Sequence, residues 1–93
     1  MLVGRLEIQL RLFECHSLKD KRSVIQSIVR KIEHRFPVSI AEVGHTESLE
    51  RSTIGIAVVS NGHRHIEAVL DKCVDFIEFE NSCEIIETEI EID

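Results

Sequence analysis

The chain opens with a regular alternation of apolar and polar positions. Between residues 2 and 12 apolar side chains fall on every second position, which predicts a half-buried β-strand because successive side chains of a strand point to opposite faces. From Ser17 the apolar period lengthens to three or four residues and predicts a helix to about Arg35, which stops before Pro37. Ser17 and Asp20 have the spacing of a capping box at its start.

The second half of the chain repeats this change of period. Residues 38–43 and 53–59 are two short runs rich in β-branched residues, and the polar stretch 44–52 between them predicts a hairpin loop. A helical period returns from Ile66 to Ile77, and residues 86–93 alternate again. The order β-α-β-β-α-β predicts an α+β domain of the ferredoxin-like class, with two helices on one face of a four-stranded antiparallel sheet in the order 4-1-3-2.

The predicted third strand has no polar face. Its odd-numbered residues Gly55, Ala57 and Val59 point away from the face that the helices cover. An exposed apolar strip on a sheet is typical of a partner surface, so these three residues, or a sheet edge, are predicted to form a homodimer interface. The alternative is a small-residue strip that the stems of Arg5, Arg11 and Gln9 shield from water.

Length and composition restrict the class of protein. Ninety-three residues are predicted to form a single domain, 1–93. The composition, with 43% apolar and 30% charged residues, excludes a disordered chain. The longest apolar run is residues 56–59, and the N-terminus lacks the pattern of a signal peptide, so we expect no membrane role. Three cysteines without a C-x-x-C pair favour a reducing, cytoplasmic setting.

Charge is distributed unevenly along the chain, whose net charge is −6. Residues 16–35 carry six Lys or Arg and two acids, which gives +4, whereas residues 66–93 carry one Lys and ten acids, which gives −9. Phosphate affinity rises with the number of cations presented, so a wholly basic nucleic-acid-binding surface is excluded and no DNA binding is expected. A local basic patch on residues 16–35 stays open.

RNA binding by base stacking is excluded. The chain has no Trp or Tyr, and its four Phe fall at a strand end or on predicted helices, so the sheet lacks the aromatic platform of an RNA recognition motif. RNA would have to be held through its phosphates. The predicted contacts are the cations of the first helix: Lys19, Lys21, Arg22, Arg30, Lys31 and Arg35.

One edge of the predicted sheet gathers chemistry-bearing residues. Strand one ends at the same edge as the 44–52 loop, and the free N–H groups at a helix start favour anions. This predicts an anion or phosphate site, with a solvated basic turn as the alternative. Its candidate residues are His16, Ser17, Lys19, Lys21, Arg22, His45 and Arg51.

No catalytic or metal centre is predicted. Cys15, His16, His45 and Cys83 could approach one another if Leu12 lies opposite Ile86, but they lack the paired spacing of zinc ligands. The histidines near the second helix have no recognisable base, nucleophile or oxyanion donor beside them. Glycine-rich phosphate loops are missing too. We therefore expect neither a cofactor nor an enzyme.

The runs Gly4-x-Leu6-Glu7, His16-Ser17-Leu18-Lys19-x-Lys21-Arg22-Ser23 and Gly55 to Asn61 resemble the YlxP-like family of small bacterial proteins. The resemblance covers almost the whole chain and implies a ferredoxin-like fold in the bacterial cytoplasm, but no reaction, since the family is a domain of unknown function. Its members are often encoded beside translation-initiation and ribosome-maturation genes. That setting implies a non-enzymatic accessory factor with rRNA or a ribosomal particle as partner. The chain departs from the family in a hairpin without an aromatic residue at 46–50 and in an unusually acidic tail.

Overall fold

Four strands and two helices follow one another in a computed structural model that describes all residues, Met1–Asp93. The sheet is antiparallel in the order β2-β3-β1-β4. This arrangement confirms the predicted ferredoxin-like α+β class. The elements are β1 (Leu2–Leu12), α1 (Leu18–Arg35), β2 (Ser39–Gly44), β3 (Arg51–Ser60), α2 (His63–Glu78) and β4 (Cys83–Ile92).

The core lies between the two helices and one face of the sheet. Sixteen buried apolar residues form it, drawn from the alternate positions of β1 and β3, from one stripe of each helix and, with Cys83, from the start of β4. Burial of each large aliphatic side chain contributes about 1.5 to 3 kcal/mol, which makes this layer the main source of stability. Gly4 in β1 lies directly under Ile66 of α2, where a Cβ would overlap the isoleucine methyl group.

The start of α1 follows the predicted capping box. Ser17 has extended backbone geometry, and its Oγ accepts from the Asp20 N–H at 3.1 Å. The Asp20 carboxylate reaches back and accepts from the His16 N–H at 3.2 Å. Two of the N–H groups around the first turn are therefore satisfied by the chain itself. The helix ends at Arg35, as Pro37 predicted.

Two strand boundaries differ from the prediction. β3 begins at Arg51 and β4 at Cys83, so both strands are longer than their apolar runs. β4 pairs with β1 so that Leu12 lies opposite Cys83, and the register that sets Leu12 opposite Ile86 is wrong. An irregularity between Gln9 and Leu10 shifts the pairing and leaves Ile86 outside it. Neither helix is both long enough and apolar enough to cross a bilayer.

Candidate nucleic-acid interface

The outer face of α1 carries a row of polar and basic side chains. Residues three or four positions apart share one face of a helix, and on α1 the side opposite the buried stripe is exposed along its length. The row consists of Lys19, Ser23, Gln26, Arg30 and His34, and it contains no carboxylate. Asp20 and Glu33 flank the row, and Arg22 lies beside it. We call Arg22 and the row together the α1 outer face.

Lys21 does not belong to that face, which corrects its predicted role as a phosphate or RNA contact. Its side chain is 0% exposed, and its Nζ lies 2.9 Å from the Glu42 carboxylate of β2. The same Nζ donates to the main-chain carbonyl of His45. The ammonium group is held by protein acceptors and cannot meet a phosphate in solvent. The positions of the other predicted cations decide what remains of the candidate site.

Buried polar partners complete what we call the Lys21 cluster, which consists of Lys21, Glu42, Ser52 and the His45 carbonyl. Ser52 in β3 is fully buried, and its Oγ donates to Glu42 at 2.6 Å. His45 has a φ of 55°, in the left-handed region. The cluster joins the first turns of α1 to the loop between β2 and β3. The sequence predicted that the start of α1 and this loop meet at one edge of the sheet. The buried ion pair between Lys21 and Glu42 connects the two segments at that edge.

Two further cations lie on the side of α1 that faces α2. Lys31 Nζ is 3.2 Å from the Glu80 carboxylate, and the Arg35 guanidinium lies 5.0 Å from the centroid of the Phe76 ring. Both contacts hold the two helices together at their outer seam. Of the predicted RNA contacts, Lys19, Arg22 and Arg30 are exposed on the α1 outer face.

Arg51 lies on the opposite layer from α1. It is paired in register with Arg11, whose side chain points to the open face of the sheet and makes a 2.6 Å ion pair with Glu84. The hydrogen bond to Glu84 and its charge raise the pKa of Arg11. The Arg51 Nε is buried without a hydrogen-bond partner. The structure therefore does not bring Arg51 together with Ser17 and Lys19, and His16 is exposed in the connection before α1.

The open face of the sheet carries the residues predicted for an interface. Gly55 and Ala57 line a depression of about 460 Å³, and Val59 is 61% exposed nearby. Their outward orientation agrees with the prediction from alternation. Self-association through them stays a prediction.

The cysteines and histidines do not assemble into a metal-binding group. Nowhere in the chain are three His, Cys, Asp or Glu side chains placed together as ligands. Cys73 and Cys83 are buried in the core, and burial raises the pKa of each thiol to about 11. Cys15 is partly exposed, and burial followed by the charge of Asp20 raises its pKa as well. These thiols are therefore protonated near neutral pH.

Sequence reasoning missed two partners of the Lys21 cluster, Glu42 and Ser52. Glu42 is the one charged residue in the apolar run 38–43, which was a signal that a buried cation faces it. Glu84, the partner of Arg11, was missed because β4 was predicted to begin after it. Glu80 lies past the end of α2 and carried no periodic signal.

These features define a small ferredoxin-like α+β domain with a basic helix face and a sheet left open on its other side. The family described as "Protein of unknown function (DUF503)" matches residues 3–90, and the chain belongs to this family. It is similar to the uncharacterized protein YlxP of Bacillus subtilis (strain 168), with 32% identity over 77 residues that cover 83% of this chain and 84% of that protein. The predicted family resemblance is thereby confirmed.

Proposed function

We propose that the protein is a non-enzymatic accessory factor of the cytoplasm that docks on RNA, with rRNA in a ribosomal particle as its partner, through the α1 outer face. One observation carries the proposal: Lys19 and Arg30 are exposed in one row of α1 that contains no carboxylate, and the exposed Arg22 lies beside that row. Ser23 and Gln26 between them offer donors for phosphate oxygens and ribose hydroxyls.

The charges of the opposite layer support the same orientation. β4 carries Glu84, Glu87, Glu89 and Glu91, so a polyanion is repelled from this strand and meets the basic α1 first. Three phosphate contacts correspond to a slope of about −2 to −3 in a plot of log affinity against log salt concentration. Such binding is modest and suits a factor that associates with a large particle reversibly.

The test is a charge reversal with a matched control. Lys19→Glu, Arg22→Glu and Arg30→Glu together should weaken binding to rRNA fragments at least about tenfold and flatten the salt slope. The control is Arg5→Glu, Arg64→Glu and Lys72→Glu, which makes the same change in net charge at exposed positions outside α1. Filter binding with purified rRNA and co-sedimentation with ribosomal particles at low salt provide the two measurements. Equal losses in both triple variants, or a wild-type protein that binds neither RNA nor particles, would reject the proposal.

Self-association is the alternative function, and a specific observation favours it. Val43 and Val59 are 56% and 61% exposed, and both belong to strands next to the open-face depression. Sedimentation equilibrium over a range of protein concentrations tests it directly. A chain that stays monomeric at high concentration is not a homodimeric module.

A further inference from the structure

The open face of the sheet contains a groove rather than a flat surface. Its floor is formed by short side chains of the two neighbouring strands β2 and β3, namely Ser39, Ala41, Gly55 and Ala57. Gly55 keeps the floor low, since a Cβ there would lie 3.0 Å from the Val43 side chain. The longer side chains of β1 and β4 stand along one side. The volume of about 460 Å³ lies in the range of sites that bind a ligand.

A second depression adjoins the groove at the start of β2, where the sheet meets the end of α1. It shares Ser39 and Ala57 with the first and adds apolar side chains of the connection after α1, including Phe36, Pro37 and Val38. From Gly55 to Val59 alone the path along β3 is about 13 Å at 3.3 Å per residue. This length fits an extended chain of about five or six residues better than a compact small molecule.

The charges along the groove are mostly negative. Three carboxylates and one guanidinium line the open-face depression: Glu7, Glu89, Glu91 and Arg5. Arg5 lies opposite Glu91 in register, but none of these four groups lies within ion-pair distance of an opposite charge. Glu7 and Glu89 are also directly opposite in register, a placement that like charges make unfavourable. A cationic occupant would relieve this repulsion, whereas a second copy of the chain would bring a second set of carboxylates against the first.

We propose that this groove binds an extended basic segment of a protein partner. The segment lays short apolar side chains on the floor formed by β2 and β3 and directs Lys or Arg side chains to Glu7 and Glu89. The Lys and Arg stems are long and flexible, so a cation beside an apolar residue of the segment can bend over to these carboxylates. The proposal is independent of RNA docking, since the groove and the α1 outer face lie on opposite layers of the molecule.

Peptide probes test the chemistry of the occupant. A fluorescently labelled hexapeptide of alternating Lys and Val should bind saturably at submillimolar concentration in about 0.1 M salt. Its affinity should fall about tenfold or more in 1 M salt, where the Debye length is about 3 Å. A Glu-Val hexapeptide should not bind. A Lys-Ser hexapeptide should bind several-fold more weakly than Lys-Val, because it keeps the charges and loses the apolar contact with the floor.

Protein variants locate the site. Glu7→Gln with Glu89→Gln should reduce the affinity for the Lys-Val peptide about threefold to tenfold. The matched control, Asp71→Asn with Glu78→Gln, removes two exposed carboxylates from α2 and should leave it within about twofold. Ala57→Arg places a long cation on the floor and should abolish binding. Both double variants replace exposed side chains and keep the fold, so the comparison holds even if the Ala57 variant misfolds.

Three results would overturn the proposal. One is equal binding of the Lys-Val peptide by the two double variants, or no binding by the wild-type protein. Another is a set of peptide-induced amide NMR shifts on α1 or α2 instead of Ser39, Gly55 and Ala57. The third is a wild-type dimer in sedimentation that the peptide leaves intact and that Ala57→Arg converts to a monomer, which would assign the groove to a second copy. The Lys19, Arg22 and Arg30 charge reversal should leave peptide binding unchanged, so failure of RNA docking and failure of the groove are told apart.

Discussion

Replacement of Lys21 by Met tests whether the Lys21 cluster holds α1 to the hairpin loop. The variant keeps an unbranched apolar side chain, one atom shorter than that of Lys, and removes the ammonium group. Glu42 then keeps only the Ser52 hydroxyl as a partner, and its side chain is 17% exposed. Loss of one member of a buried pair costs about 3 to 5 kcal/mol, and the partial exposure of Glu42 favours the lower value.

A loss of about 3 kcal/mol is large for this chain. A domain of this length has a total stability of about 5 to 14 kcal/mol. Urea unfolding followed by circular dichroism should show a lower midpoint with an unchanged slope. Lys19→Met is the matched control, because Lys19 is two residues away on the same helix and exposed, and it should cost less than about 0.5 kcal/mol.

A compensating variant separates the lost ion pair from poor packing. When Lys21→Met is combined with Glu42→Leu and Ser52→Ala, no buried carboxylate or hydroxyl is left without its partner. Hydrophobic replacement of a buried ion pair is often neutral or stabilising, so the triple variant should recover most of the lost stability. The reasoning is refuted if Lys21→Met costs no more than Lys19→Met, or if the triple variant is less stable than the single one.

Two further variants probe the core. Gly4→Ala should lower the free energy of unfolding by about 1 to 3 kcal/mol, because the new Cβ meets the buried Ile66. Gly55→Ala should lower it by less than about 1 kcal/mol, because its Cβ meets only the exposed Val43. Equal losses for the two variants in urea unfolding would contradict this. Burial raises the pKa of Cys73 from 9.0 to about 11, so the unfolded chain loses this proton at a lower pH than the folded chain. The free energy of unfolding should therefore fall by about 1 to 3 kcal/mol as the pH rises from 9.0 to about 11. Cys73→Ala should show a shallower decline in urea titrations at a series of pH values, and an equal decline would count against the assignment.

The fold could be predicted because its periodicity is regular where the layers meet. Alternation in β1 and the three-to-four spacing of α1 follow directly from one buried face on each element. The Ser17 cap and Pro37 bound α1 at both ends. The register of β4 could not be predicted, because Ile85 and Ile86 are adjacent apolar residues and either can face the core. The pairing of Leu10 with Ile85 decided it.

The candidate site was predicted less well, and Lys21 explains why. It stands four residues before Ile25 and seven before Ile28, so its spacing places it on the buried stripe of α1. Because its side chain is charged, the sequence interpretation placed Lys21 in solvent and gave its charge more weight than its spacing. The acceptors that make burial possible come from β2 and β3, and only the tertiary structure brings them under the helix. Spacing is therefore the better guide for a charged residue when a lone carboxylate such as Glu42 occurs in a neighbouring apolar strand.

The separation of charge between α1 and the open-face groove argues for a protein with two working faces. Stability does not require this separation, because opposite charges placed side by side would stabilise the surface more than like charges grouped together. Lys19, Arg22 and Arg30 have no ion-pair partner, and neither have Glu7, Glu89 and Glu91 on the other side. The sorted arrangement does act on binding, because it orients the molecule on a polyanion with its acidic groove turned outward. A polyanion such as RNA also attracts basic segments of other proteins. A factor held on RNA by α1 would therefore present its acidic groove where such basic segments are concentrated.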